Sequence, residues 1–311
     1  MKLLFILDPL DSLKSHKDTS LAIMRKASER GHALYVCEQH DIFLRNDLVK
    51  INTKKFQFAD DENWYELGVS EEVLPKHFDA ILMRKDPPFD NEYLYSTYLL
   101  ELAVNQGARV INNPSAVRSW NEKLSVAKFP QFAPEFLVTS NNTLIREFLA
   151  THQDIVVKPL DGMGGSGVFR LTQTDPNINV ILETITKFET QTVMAQRYLP
   201  EIKQGDKRII VINGKPLPYA LARIPKAGET RGNLAAGGTG VAQPLTQRDL
   251  EIATSIGKTL KQEGLFLVGL DVIGEYLTEI NVTSPTGMVE IAAQTPCNPA
   301  QVFLDTLEDI L

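Results

Sequence analysis

The period of the apolar positions changes along the chain, and the changes divide it. Residues 3–7 are an unbroken apolar run that reads as a buried strand. A helical pattern follows over about 18–30 and stops at Gly31, and residues 33–37 are strand-like again. A weakly patterned stretch then extends to about residue 76. It is followed by a strand from Phe78 to Met83, a helix from Asn91 to Gly107 and a short strand at 109–111. Strand and helix alternating in this way predict an α/β fold, a doubly wound parallel sheet with helices on both faces, in a first domain of residues 1–120.

Asn121 to Phe129 predicts a short helix, and Pro130 with Pro134 a hinge. A small α+β unit then runs through residues 121–200, and a last unit through 201–311. In the last unit Thr246 and Asp249 form a capping box, and Leu250, Ala253, Ile256 and Leu260 give the stripe of a core-facing helix.

The central unit contains the chemistry-bearing stretch. Asp154 to Pro159 reads as a strand that carries Lys158. Gly162, Gly164, Gly165 and Gly167 follow within six residues, and Val168 to Leu171 reads as a second strand. Side-chain-free residues let backbone N–H groups approach phosphate oxygens closely. The spacing also satisfies a dinucleotide fingerprint, but that motif needs a helix after the glycines, and the residues here are strand-like. No Gly-Lys-Ser/Thr ends this glycine run, so it is not a Walker loop. The preferred reading is a glycine flap between two strands, covering a nucleotide from above.

Residues 226–241 include five glycines and predict a structureless loop, either a mobile lid closing on an anion through Arg231 and Asn233 or acidic-polar disorder. Two hairpins flank the argument about charge. Asn213-Gly214 is a strong two-residue turn signal; it would pair Arg208 with Tyr219 and put Arg208, Arg223 and Asp206 on one face. Pro216 and Pro218 suggest a sheet edge there. Two guanidiniums on one face suit a carboxylate or phosphate, with surface salt bridges as the competing reading. In the second hairpin Glu279 and Asn281 share a face. An odd-length loop at Gly274–Tyr276 would set Asp271 opposite Glu279, giving a hard oxygen site for Mg²⁺; a merely solvated acidic face is the alternative. Arg84 to Pro88 ends a parallel strand, where open α/β sheets bind ligands.

Composition narrows the classes. With 311 residues, 43% apolar content and a net charge of −7, the chain can build about two domains and lacks the basic field of a nucleic-acid binder. Two cysteines without CxxC spacing suit a reducing, cytoplasmic setting. Asp8-Pro9 interrupts the first apolar run, so it predicts a strand rather than a signal or membrane segment. The five histidines lack metalloprotease or triad spacing, and no Ser/His or Cys/His pair stands out.

A lysine-bearing strand, a glycine flap, a further lysine in Asn121-Glu122-Lys123 and a Glu-x-Asn pair together resemble the ATP-grasp superfamily. More narrowly, Met83–Asp90, Lys158–Gly165, Gly205–Arg208, Leu221–Pro225, Gly228–Gly238 and Leu277–Pro285 make essentially the whole chain similar to the bacterial glutathione synthetases. The resemblance implies an N-terminal substrate domain and two ATP-grasp subdomains catalysing ATP-dependent joining of γ-glutamylcysteine and glycine. By it, Lys123 and Lys158 hold ATP phosphates under Gly162, Gly164 and Gly165. Gln196, Tyr198 and Leu199 meet adenine, and Asp206 meets ribose. Asp271, Glu279 and Asn281 bind two Mg²⁺, with Mn²⁺ as a substitute. Arg84, Arg208, Arg223 and Ser284 grip the acid, and Arg231 and Asn233 close over it. A homotetramer is implied too. Where many relatives carry another basic residue near the end of the lid, this chain has Thr239 and Val241. Another ATP-grasp ligase of the D-alanine–D-alanine type, or a non-catalytic ATP-binding regulator, would share the nucleotide residues.

Overall fold

The computed structural model describes residues 1–59, 63–229, 232, 234 and 237–311. The first region contains β1 (Lys2–Leu7), α1 (Thr19–Glu29), β2 (Ala33–Glu38), β3 (Ile42–Arg45), β4 (Leu48–Phe58), β5 (Tyr65–Val73), β6 (Ala80–Met83), α2 (Asn91–Asn105), β7 (Val110–Ile111) and α3 (Pro114–Ser119). β2, β1, β6 and β7 are parallel neighbours, as the alternating pattern predicts. The weakly patterned stretch is an antiparallel addition: β4 pairs with β2, β3 and β5. β5 escaped a periodicity reading because nearly all its residues face solvent, so neither face is marked by apolar side chains.

The central region has β8 (Phe136–Thr139), α4 (Asn142–His152), β9 (Asp154–Pro159), β10 (Phe169–Thr172), α5 (Ile178–Ile185) and β11 (Val193–Arg197). Its four strands form an antiparallel sheet in the order β10-β9-β11-β8. Ile145, Leu149, Ile155, Val157, Leu171, Leu182 and Val193 give it a separate core.

The third region contains β12 (Asp206–Ile212), β13 (Lys215–Ile224), β14 (Thr239–Pro244), α6 (Gln247–Gln262), β15 (Leu267–Ile273), β16 (Tyr276–Asn281), α7 (Met288–Gln294) and α8 (Pro299–Glu308). The sheet order is β14-β13-β12-β15-β16. Thr246 and Asp249 form the expected capping box on α6, and Asp249 also accepts Lys207 Nζ at 2.5 Å in the interior. Leu3, Phe5, Ile210, Ile212 and Phe303 share one core, so the first and third regions are packed together. Arg30 of α1 pairs with Asp305 and Glu308 at the α8 end.

Three expectations about the hairpins need correction. Asn213-Gly214 does turn β12 into β13, with Ile212 opposite Lys215, but an irregularity between Ile209 and Val211 adds two residues to β13. Arg208 therefore faces Leu221 rather than Tyr219, and Asp206 faces Arg223. A slip of two preserves parity, so the three charged residues keep their common face. Pro216 and Pro218 do lie on an outer edge, since the β13 ladder with β14 begins only at Tyr219; from there on β13 is an inner strand. In the second hairpin the turn is the even, two-residue Gly274-Glu275, since Ile273 faces Tyr276. A bulge at Thr278 then restores the parity and brings Asp271 opposite Glu279. Finally, Thr239–Val241, read as loop, belong to β14, where Arg223 faces Gly240.

Candidate functional site

Two clefts open on a shared wall. The first lies between the central sheet and the third, and spans about 860 Å³ including its mouth open to solvent. Its lining includes Lys123, Lys158, Gly162, Gly164, Gly165, Gln196, Tyr198, Leu199, Asp206 and Glu279. The second, of about 800 Å³, is lined by Gly162, Gly164, Arg208, Arg223, Glu279, Asn281 and Ser284, together with Asp86, Glu122, Thr283 and Thr286. Gly162, Met163, Gly164 and Glu279 belong to both. The flap of the central region and the third sheet thus converge where the clefts meet, while Asp86 and Pro87, past β6, line the second cleft and not the first.

Each lysine reaches this wall by a different route. Lys158 points off β9, whose partner β11 sets its register as Met194 opposite Lys158. Its Nζ donates to the Thr278 carbonyl and to Glu279 Oε1, both at 3.3 Å. Lys123 Nζ donates to the Gly162 carbonyl at 2.6 Å and lies 4.0 Å from Glu279 Oε1. Burial pushes the Lys158 ammonium below its ordinary value, and the Lys123 charge adds to this while Glu279 opposes it. Burial works against the Glu279 charge as well, but the two lysines outweigh it and hold the carboxyl below its ordinary range. Two cations sharing one carboxylate leave a net positive site suited to a polyphosphate.

The flap above them is a hairpin connection, because β10 pairs antiparallel with β9. Gly164, Gly165 and Gly167 have φ of 62°, 80° and 68°, a region that side chains disfavour. On the far wall the Gln196 amide nitrogen is buried and has no hydrogen-bond partner among the described residues. An orphaned donor facing a cleft suits a ligand with an acceptor.

The third sheet supplies the floor. Asp271 Oδ1 accepts Arg208 Nε at 2.5 Å, and its Oδ2 accepts Arg208 Nη2 at 2.9 Å and Arg223 Nη2 at 2.8 Å. Arg223 also pairs with Asp206. Burial opposes the charge on Asp271, yet the two guanidiniums hold its carboxyl well below the ordinary range. Asp206 moves the other way: burial, with Asp271 and Glu279 nearby, pushes it up to about 7 despite Arg223. The competing salt-bridge reading is therefore realised in part, as a buried network rather than surface pairs. Both arginines still line the second cleft.

Some candidate residues are placed elsewhere. Arg84 is buried beneath the second cleft and lines neither cleft; its Nε donates to Ser20 Oγ at 3.0 Å and its Nη2 to the Pro285 carbonyl at 2.9 Å. It supports the loop that carries Ser284 instead of facing the cleft. Asp271 also lines neither cleft, since both its oxygens are engaged by arginine. Arg231 and Asn233 lie outside the described residues. Near them Gly232 lines the first cleft and Leu234 the second.

Glu122 went unassigned in the sequence, although it lies in the Asn121-Glu122-Lys123 tripeptide. Its Oε1 accepts the N–H groups of Val282 and Thr283 at 3.0 and 3.1 Å and the Thr283 hydroxyl at 2.7 Å. Its carbonyl accepts from Ile280 N at 2.8 Å. It thereby fixes Lys123 to the end of the β15–β16 ribbon.

For Mg²⁺ the donor set is a fit in chemistry: Glu279 and Asn281 present hard oxygens to the second cleft, with Asp271 directly opposite Glu279 in the ladder. Among the described residues no three of His, Cys, Asp and Glu converge as a ready-made cage. An ion here would take phosphate oxygens as its remaining ligands.

Comparison with known proteins agrees with this geometry. Residues 1–118 match the family model for the prokaryotic glutathione synthetase N-terminal domain, and residues 122–296 that for the prokaryotic glutathione synthetase ATP-grasp domain. The chain is 60% identical to a glutathione synthetase of Nitrosomonas europaea, over 99% of this chain and 98% of the relative. It is 52% identical to one from Bordetella pertussis, over 99% of each. Among solved structures, a D-cycloserine synthetase superposes with a TM-score of 0.68 at 15% identity, covering 99% of both chains. A D-alanyl-alanine synthetase A from Vibrio cholerae gives 0.61 at 13%, covering 99% of this chain and 97% of the other. At such identities these two establish a common fold. No helix among the described residues is long and apolar enough to cross a membrane.

Proposed function

This chain belongs to the prokaryotic glutathione synthetase family and is an ATP-dependent ligase, and on that premise we propose that it joins γ-glutamylcysteine to glycine through an acyl phosphate. One observation carries the reading: the cleft with the two lysines and the cleft with the two arginines share Glu279 and the glycine flap, so a γ-phosphate and a carboxylate can meet there.

ATP lies in the first cleft with its phosphates on Lys123 and Lys158 under Gly162, Gly164 and Gly165, its adenine against Gln196, Tyr198 and Leu199, and its ribose at Asp206. Glu279 and Asn281 would hold Mg²⁺, two ions at full occupancy or Mn²⁺ in their place, with Asp271 joining them once Arg208 and Arg223 turn from it to the acid; the metal would neutralise phosphate charge. Arg208 and Arg223 orient the acid, with Ser284 beside it. The carboxylate of γ-glutamylcysteine attacks the γ-phosphorus in line, ADP leaves, and the amine of glycine then displaces phosphate from the acyl carbon. No protein nucleophile is needed; the chain positions the partners and balances their charge. Arg231 and Asn233 close the site, which keeps water from the acyl phosphate. A cytoplasmic homotetramer suits the exposed Tyr95, Tyr98 and Leu102, spaced at three and four residues along α2.

The test is direct. Pure protein given Mg-ATP, γ-glutamylcysteine and glycine should form tripeptide and ADP in equal amounts. ADP release indifferent to glycine, or tripeptide formation absent while another acid–amine pair is joined, would replace the substrate reading.

A further inference from the structure

Among the described residues the second cleft is lined by three carboxylates, Glu279, Glu122 and Asp86, and the first two are already engaged; Asp206 belongs to the first cleft. Glu279 faces Lys158 and Lys123, and Glu122 accepts three hydrogen bonds from residues 282–283. Asp86 differs: among the described residues no lysine or arginine forms an ion pair with its side chain, and the neighbouring Ser284 hydroxyl donates to the Arg84 carbonyl at 3.1 Å.

Its neighbours keep it that way. Lys85, the adjacent cation, is drawn off to Asp8, with Nζ to Oδ1 at 2.5 Å, and back to the Asp86 carbonyl at 3.1 Å. The Asp86 N–H donates to Asp8 Oδ2 at 2.9 Å, and Pro87-Pro88 limits the chain that follows. A half-buried carboxylate is thus held at a fixed place in a cleft with no ion-pair partner among the described residues. Burial raises its pKa, with Asp8 and Asp18 adding to the rise and Ser284 and the Arg84 charge opposing it. Such a site is complementary to a cation brought by the ligand.

We infer that Asp86 recognises the α-ammonium group at the γ-glutamyl end of the acid substrate and so makes the enzyme select γ-glutamyl acids over their amino-free analogues; this rests on the ligase reading above. Two ammonium groups enter the reaction, that of the acid's head and that of glycine. The head is favoured by position. The acyl carbon and the attacking amine must lie at the wall shared with the nucleotide cleft, and Asp86 lines only the second cleft.

Glutaryl-cysteine, which carries hydrogen in place of the ammonium, separates the sources. In the wild-type protein kcat/KM should fall by about 10- to 100-fold from γ-glutamylcysteine to glutaryl-cysteine, the range for losing one hydrogen-bonded charge pair. Asp86→Asn should turn over the two acids with nearly equal kcat/KM, with the KM for glycine unchanged. Turnover of glutaryl-cysteine by the variant also reports that it is folded; should Asp86→Asn not fold, Asp86→Ser takes its place. Wild-type indifference to the ammonium overturns the inference without any variant. So does a variant that keeps the full discrimination, one that loses both acids equally, or one that shifts the KM for glycine instead. Absence of any tripeptide from the wild type would count against the ligase reading, a separate failure.

Discussion

The two hairpins of the third sheet both close with two-residue turns and reach their registers by opposite devices. Both turns have left-handed glycines, Gly214 at φ 79° and Gly274 at φ 59°. In β12–β13 the irregularity adds two residues and leaves every side chain on the face that the turn assigned. In β15–β16 the bulge adds one, Thr278, and moves Glu279 across to face Asp271. A turn signal alone therefore fixes a face only when the excess residues are even. The extra residue of the odd case also takes part in the site, since its carbonyl accepts from Lys158.

The hairpins meet along the β12–β15 ladder, where Arg208 stands directly opposite Asp271. Arg208→Ala leaves a carboxylate only 2% exposed with Arg223 as its one remaining cation. Equilibrium unfolding in denaturant should show a loss of about 3–5 kcal/mol, the scale of a broken buried pair. A loss below about 1 kcal/mol would mean the two ribbons are not tied through this contact.

Glu279→Ala tests the chemistry that the bulge makes possible. Its side chain is the common neighbour of both lysines and of both clefts, so its removal should cost about 3–4 kcal/mol of barrier, or roughly 10²- to 10³-fold in kcat. Circular dichroism should stay native at a lower unfolding midpoint, because the buried Lys123 and Lys158 lose their shared carboxylate. Near-normal turnover in Mg²⁺ would remove Glu279 from the reaction.

The glycines of the two turns should differ in tolerance. A Cβ on Gly214 would come 2.6 Å from the Gly257 carbonyl of α6, which is backbone and cannot swing aside. A Cβ on Gly274 would meet the Glu201 side chain at 3.0 Å, which can. Gly214→Ala should therefore cost about 2–3 kcal/mol and Gly274→Ala about 1 kcal/mol in thermal or chemical unfolding. Equal costs would show that positive φ, not the docking of the turn on α6, decides both.

The same contrast explains what the sequence made legible. Elements with a buried stripe, such as α6 and β9, announce themselves by period, and the lysine, glycine and Glu-x-Asn signals stand in short contiguous runs. Bulges leave no such mark: Thr278 is an ordinary strand residue until its ladder is seen. Nor does a sequence say where a guanidinium spends its donors. Arg84 reads as a ligand residue from its place at a strand end, yet it holds the Pro285 carbonyl from below. Asp86, two residues on, faces the cleft. Glu122 was hidden for the related reason that its partners at 282 and 283 are distant in sequence.

The finest test concerns Thr278 itself, whose two roles belong to different atoms. The hydroxyl donates to the Asp271 carbonyl at 3.2 Å, across the bulge, while the backbone carbonyl accepts from Lys158. Thr278→Val removes the first and keeps the second, with almost no change of volume. The expected result is a stability loss of about 0.5–1.5 kcal/mol with the KM for ATP unchanged. Deleting Thr278 does the reverse, since Leu277 and Glu279 would then pair with Val272 and Asp271 in a regular ladder. That deletion should keep Glu279 opposite Asp271 but take the acceptor from Lys158, and the KM for ATP should rise. If instead the valine variant weakens ATP binding and the deletion does not, the bulge serves the ladder alone, and the lysine is positioned by β9 and β11 without help from the ribbon.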